Sequence, residues 1–97
     1  MPPAPPLTDA EIAERLAALD GWERDGDAIR RTVKLKGFRA AIALVNGVAD
    51  AAEAANHHPD IGIHDYNRVT FTLTTHAANG LTFRDFDLAA EIDRLAL

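Results

Sequence analysis

Two stretches with a period of two most constrain what this chain can fold into. In Ala28–Lys36, the apolar residues Ile29, Val33 and Leu35 alternate with Arg30, Thr32, Lys34 and Lys36. In Arg68–Thr75, Val69, Phe71 and Leu73 alternate with Arg68, Thr70, Thr72 and Thr74. Successive side chains of a strand point to opposite faces, so each stretch predicts a strand with one dry and one wet face. The dry faces need an apolar cover. Arg31 interrupts the pattern on the inward side.

Three amphipathic stretches supply that cover. TDAEIAERLAAL (8–19) reads as a helix with Thr8 as N-cap, Glu11 as its capping-box partner, and Ile12, Leu16 and Leu19 as its apolar stripe. Phe38 to about Asn56 reads as a long alanine-rich helix burying Phe38, Ile42, Val45, Ala49 and Ala52. Gly47 weakens it by about 1 kcal/mol relative to alanine. Pro59 disfavours helical geometry at His58, so this helix should end near His57. The last helix starts at Thr82, with Asp85 as capping-box partner, and buries Leu88, Ile92 and Leu95.

Two shorter strands complete the set. Trp22–Arg24 joins Ala28–Lys36 through Asp25-Gly26-Asp27, and Asp60–His64 joins Arg68–Thr75 through a turn at Asp65–Asn67. The order α-β-β-α-β-β-α predicts an α+β fold: a four-stranded antiparallel sheet with three helices packed on one face. The wet sheet face and the two edge strands invite pairing with another subunit.

At 97 residues the chain holds one core. Residues 1–7 read as a flexible proline-rich tail and 8–97 as a single domain. The net charge of −5 disfavours phosphate-driven affinity, so no nucleic-acid partner is expected. The absence of cysteine excludes disulfides, thiolate metal sites and cysteine nucleophiles. No apolar run approaches the roughly 20 residues of a membrane span, so no membrane partner is expected. The start lacks the basic and apolar segments of a secretory signal, and a cytoplasmic protein is expected.

The chemistry gathers around NHHPD (56–60), which holds two of the four histidines. At about 100° per residue, Asn46, Asp50, Glu53 and His57 share one stripe of the second helix, about 90° from its apolar face. That stripe should lie half-buried along the helix–sheet border. It reads either as a solvated face with a Glu53–His57 pair or as part of a site. Asp85 begins the apolar stripe of the last helix. Capping explains a carboxylate there, but not one facing inward, which wants a partner such as a histidine. His76 closes the fourth strand on the wet face, unless a twist at the strand end carries it to a pocket rim. His64 belongs to the surface. Trp22 is a core or core-edge residue whose flat face could stack on a planar ligand. Imidazole and carboxylate ligands suit zinc or iron, but the spacing is not HExxH and adjacent histidines diverge, so no metal is assigned. General acid–base chemistry fits better, because histidine titrates near about pH 6.5 and one ring can donate while another accepts.

Glu53-x-x-x-His57-His58-Pro59, then Tyr66, Thr75-His76, Gly80-Leu81 and Asp85, resembles the pterin-4a-carbinolamine dehydratase family. The similarity continues upstream through Gly21-Trp22 and the strand–Phe38–helix segment. It implies a hydro-lyase without a cofactor, for which the pterin is the substrate. Such enzymes convert 4a-hydroxytetrahydropterin, made by aromatic amino-acid hydroxylases, to quinonoid dihydropterin for recycling. It implies His57, His58 and His76 as catalytic histidines, Asp85 as their support, and Glu53, Trp22 and Pro59 as pocket residues. It further implies a homodimer or homotetramer and a functional link to an aromatic amino-acid hydroxylase. Two positions depart from the family pattern. Ile61 stands where many members have tryptophan, and one extra residue separates Pro59 from Tyr66, which a bulge at Gly62 would absorb. The alternative is a non-enzymatic dimeric interaction module of the same fold, since animal members of the family also serve as dimerisation partners of a homeodomain transcription factor. A metal-dependent hydrolase is a third reading.

Overall fold

The computed structural model describes residues 4–97. Helix α1 (Asp9–Ala17) precedes strands β1 (Glu23–Asp25) and β2 (Ala28–Lys34), helix α2 (Phe38–Ala55), strands β3 (Asp60–His64) and β4 (Arg68–Leu73), and helix α3 (Phe83–Leu95). The four strands form one antiparallel sheet in the order β1-β2-β4-β3. The α+β architecture and the element order are those the sequence predicts.

The two alternating stretches form the central pair. Ile29 lies opposite Leu73 and Val33 opposite Val69, and all four are buried with Phe71 beneath the helices. On the other face, the hydroxyls of Thr32 and Thr70 meet at 2.8 Å. Arg31, opposite Phe71, does point inward; it survives there because its guanidinium pairs with Asp93 of α3. Both predicted capping boxes form, at Thr8–Glu11 and at Thr82–Asp85.

Three local expectations need correction. The buried face of α2 is Ala41, Leu44, Val48 and Ala52, while Phe38, Ile42 and Ala49 are exposed. The helix carries apolar residues over most of its circumference, so periodicity alone did not fix which side meets the sheet. The same rotation leaves Asn46, Asp50 and Glu53 exposed instead of half-buried. The β3–β4 register is one-for-one from Asp60–Thr72 to His64–Arg68, so Gly62 forms no bulge. The intervening turn instead holds Asp65 and Tyr66 in left-handed backbone, with φ of 49° and 58°.

Residues 1–3 lie outside the described residues, but Ala4 is buried and the Leu7 amide donates to the Leu81 carbonyl at 2.8 Å. Residues 4–7 are therefore laid against the segment leading into α3.

Candidate active site

Helix α2 stops two residues earlier than Pro59 alone requires. Asn56 adopts left-handed backbone (φ 50°, ψ 44°), which asparagine tolerates better than most residues. Its amide donates to the Glu53 carbonyl at 3.2 Å, and the His57 amide donates to the Ala52 carbonyl at 3.0 Å. This is a Schellman closure, and it reverses the chain before the histidines rather than after them. The two imidazoles consequently diverge. His57 turns inward to Asp85, with Nε2 at 2.6 Å from Oδ1, while His58 turns back along the helix to Glu53, with Nε2 at 2.5 Å from Oε2. The expected Glu53–His57 pair is replaced by Glu53–His58, and both of its side chains are mostly exposed.

Asp85 has no solvent-accessible surface. Oδ2 accepts the Thr82 backbone N–H at 3.0 Å, which closes the capping box, and the Thr75 hydroxyl at 2.8 Å. Oδ1 takes His57. Each of these partners can donate, so both carboxylate oxygens are matched as acceptors in a site without solvent. An ionised carboxylate only accepts, so His57 Nε2 carries the hydrogen. Nδ1 is then free to act, as an acceptor in the neutral ring or a donor in the imidazolium. Capping and the inward orientation are thus one arrangement.

Strand β4 ends at Leu73, and His76 opens a 3₁₀ turn (His76–Ala78) instead of closing the strand. Departure from strand geometry cancels the parity argument that put His76 on the wet sheet face. His57, His58 and His76 line one open cleft of about 780 Å³, with Asn56, Thr74, Thr75 and Arg84 as its other polar residues. That volume suits a small organic ligand. No carboxylate lines the cleft among the described residues; Asp85 stands behind His57.

Of the remaining expected site residues, Glu53 reaches the cleft only through its bond to His58. Pro59 follows the histidines, half-buried, and is not among the lining residues. Trp22 lies elsewhere: it is buried in the core, and Nε1 donates to Asp93 Oδ1 at 2.8 Å. Sequence reasoning gave no role to Arg84 or to Thr75. Thr75 could have been found, since it falls on the inward parity of Val69, Phe71 and Leu73, where a hydroxyl needs a polar partner. Among the described residues, no group of three or more histidine, aspartate or glutamate side chains is arranged to hold a metal ion, and no helix is long and apolar enough to cross a membrane.

The pattern of the family described as pterin 4 alpha carbinolamine dehydratase matches residues 5–95. A provisionally named pterin-4-alpha-carbinolamine dehydratase of Nocardia farcinica is 59% identical over 93% of this chain and 94% of its own. One from a Roseiflexus species is 57% identical over 92% and 95%. Among solved structures, the transcriptional coactivator/pterin dehydratase of Brucella melitensis superposes with a TM-score of 0.90 at 39% identity, covering 95% of this chain and 99% of that one. A pterin dehydratase-like RuBisCO assembly factor of the alpha-carboxysome shares the fold alone, at TM-score 0.64 and 20% identity, over 77% of this chain and 86% of that one. Sequence similarity along nearly the whole chain and a shared backbone agree: the chain belongs to the pterin-4-alpha-carbinolamine dehydratase family, a family of hydro-lyases.

Proposed function

We propose that the histidine-lined cleft removes water from a 4a-hydroxytetrahydropterin, giving the quinonoid dihydropterin. The observation that carries the reading is the convergence of three imidazoles on one cleft, with His57 held by a fully buried carboxylate. The reaction breaks the C4a–O bond and forms the C4a=N5 double bond. One proton must reach the departing oxygen and one must leave N5, so the sum is substrate to product plus water. His57 is the acid at the hydroxyl, because Asp85 holds the ring through Nε2 and leaves Nδ1 available for the proton. His76 is the second candidate acid, and His58, oriented by Glu53, positions the ring or takes the N5 proton. Each correctly placed proton donor or acceptor contributes about 10²–10⁴ in rate.

Purified protein and His57→Ala should be compared in dehydration of 4a-hydroxytetrahydropterin. A drop of about 10²-fold or more is expected; equal rates would reject the assignment. The substrate arises from an aromatic amino-acid hydroxylase, which would place this enzyme in the recycling of that cofactor, in the cytoplasm. No cofactor of its own enters the balance above.

The same reading includes self-association as a homodimer or homotetramer. Edge strand β1 is short and charged, whereas β3 presents an open edge with Ile61 exposed, and α2 exposes Phe38 and Ile42. Light scattering should give a mass of two or four chains. The description of the Brucella protein as a coactivator favours one second reading, an interaction module without turnover. A stoichiometric protein partner recovered with an inactive but folded protein would select it.

A further inference from the structure

We infer that Thr75 is a positioning residue: its side-chain hydroxyl fixes the Asp85 carboxylate that holds His57, while its backbone fixes the start of the turn that carries His76. The inference rests on the proposed dehydration for its kinetic consequence, but its structural content does not.

The hydrogen bonds around Thr75 admit one consistent direction. Its Oγ1 lies 2.8 Å from Asp85 Oδ2 and 2.8 Å from Thr82 Oγ1, and Thr75 is buried. The Thr82 oxygen already accepts the Arg84 backbone N–H at 3.2 Å. Each hydroxyl has a single hydrogen. With Asp85 ionised, Thr75 must donate to Oδ2, and Thr82 must donate to Thr75. A Thr75 hydroxyl turned toward Thr82 would set a lone pair against Oδ2, an arrangement stable only with Asp85 protonated. The orientation of one hydroxyl is therefore coupled to the charge of Asp85. That charge in turn decides which nitrogen of His57 carries the hydrogen. In such a chain each bond polarises the next, and a missing donor is felt at the far end.

The backbone of Thr75 is equally constrained. Its amide donates to the Gly80 carbonyl at 3.2 Å and its carbonyl accepts the Gly80 amide at 3.4 Å, pinning the base of the loop that carries His76. One residue thus ties together the two segments that bring His57 and His76 to the cleft. The links run from His57 through Asp85 to the Thr75 hydroxyl, and through one peptide bond to His76.

Thr75→Ser and Thr75→Ala open the same γ-methyl space and differ only in the hydroxyl, so their comparison isolates the bond. The serine variant should keep kcat near the parent value. The alanine variant should lose roughly 10- to 100-fold in kcat, the equivalent of one hydrogen bond to a charged group, with KM little changed. The second readout is the ¹⁵N spectrum of His57 in the free protein. The parent and the serine variant should show Nε2–H, and the alanine variant should show a mixed tautomer and a displaced titration curve. Equal kcat in the two variants, or an unchanged His57 spectrum in Thr75→Ala, overturns the inference. If the parent protein has no dehydratase activity but His57 responds to the hydroxyl as described, the positioning role stands and the proposed reaction alone fails.

Discussion

Helix α3 carries an inward-facing aspartate at each end, and the two do opposite work. At its C-terminal end, Asp93 accepts from the Trp22 indole and pairs with the Arg31 guanidinium, joining α3 to β2 and to the segment before β1. At its N-terminal end, Asp85 accepts from Thr82, Thr75 and His57, joining α3 to the loop after β4 and to the turn after α2. Both carboxylates clamp the helix to distant chain segments. The difference lies in their partners. Arginine and indole keep their hydrogens at every working pH, so the Asp93 clamp can only hold. Histidine can gain or lose one, so the Asp85 clamp can also pass a proton. A fastener can serve proton transfer only when one of its donors can gain or lose a proton and faces a cleft, and of the two only Asp85 has such a partner.

The largest effect expected from breaking this contrast comes from Asp85→Asn. The two donors at Oδ2 hold the amide oxygen there, which turns the amide NH₂ toward His57 and forces its Nε2 to accept. The hydrogen then sits on the wrong nitrogen, and dehydration should fall by about 10²–10⁴. Steady-state rates beside a thermal melt separate this from unfolding. Asp93→Asn should do the reverse. It leaves Arg31, whose side chain is three-quarters buried, without its counter-charge and should cost about 1–3 kcal/mol in denaturant unfolding, with turnover of the folded protein unchanged. Loss of turnover in that variant without loss of stability would end the comparison.

Trp22→Phe sharpens it further. The smaller phenyl ring keeps part of the apolar contact but leaves a void, and the hydrogen bond to Asp93 is lost, for about 1–3 kcal/mol together. Because Trp22 is buried away from the cleft, KM should not move; a raised KM would return the indole to the pocket. The smallest effect is expected at Glu11. The Thr8 backbone N–H at 2.9 Å, and then the Thr8 hydroxyl, hold its carboxyl below the usual value of 4.5. A lowered folded value means that the contribution is fully present above 4.5 and disappears as pH falls through the lowered value. Melts of Glu11→Gln and parent should therefore differ slightly near neutrality and converge in acid, with turnover untouched.

Much of this was legible in the chain itself. Alternation in 28–36 and 68–75 fixed the central strand pair, and the T-x-x-D and T-x-x-E spacings fixed both helix starts, because these are local effects of backbone geometry. Asp85 was suspect for the same reason, as a carboxylate on an apolar stripe. Where periodicity was degenerate, the reading failed. On α2 nearly every side is apolar or alanine, so the buried face was misjudged by most of a quarter turn, and Glu53 with it.

The residues alone determined a four-stranded sheet under three helices, two capped helix starts, and a histidine pair at a forced turn. Only the tertiary structure decided which histidine faces the buried aspartate, that Thr75 completes its shell, that Trp22 serves the core, and that His76 leaves its strand for the cleft. Those are contacts between residues 10 to 71 positions apart in sequence. Periodicity sees about one turn of helix or two residues of strand at a time, and the direction of a side chain after a Schellman closure or a 3₁₀ turn depends on packing that no local pattern encodes.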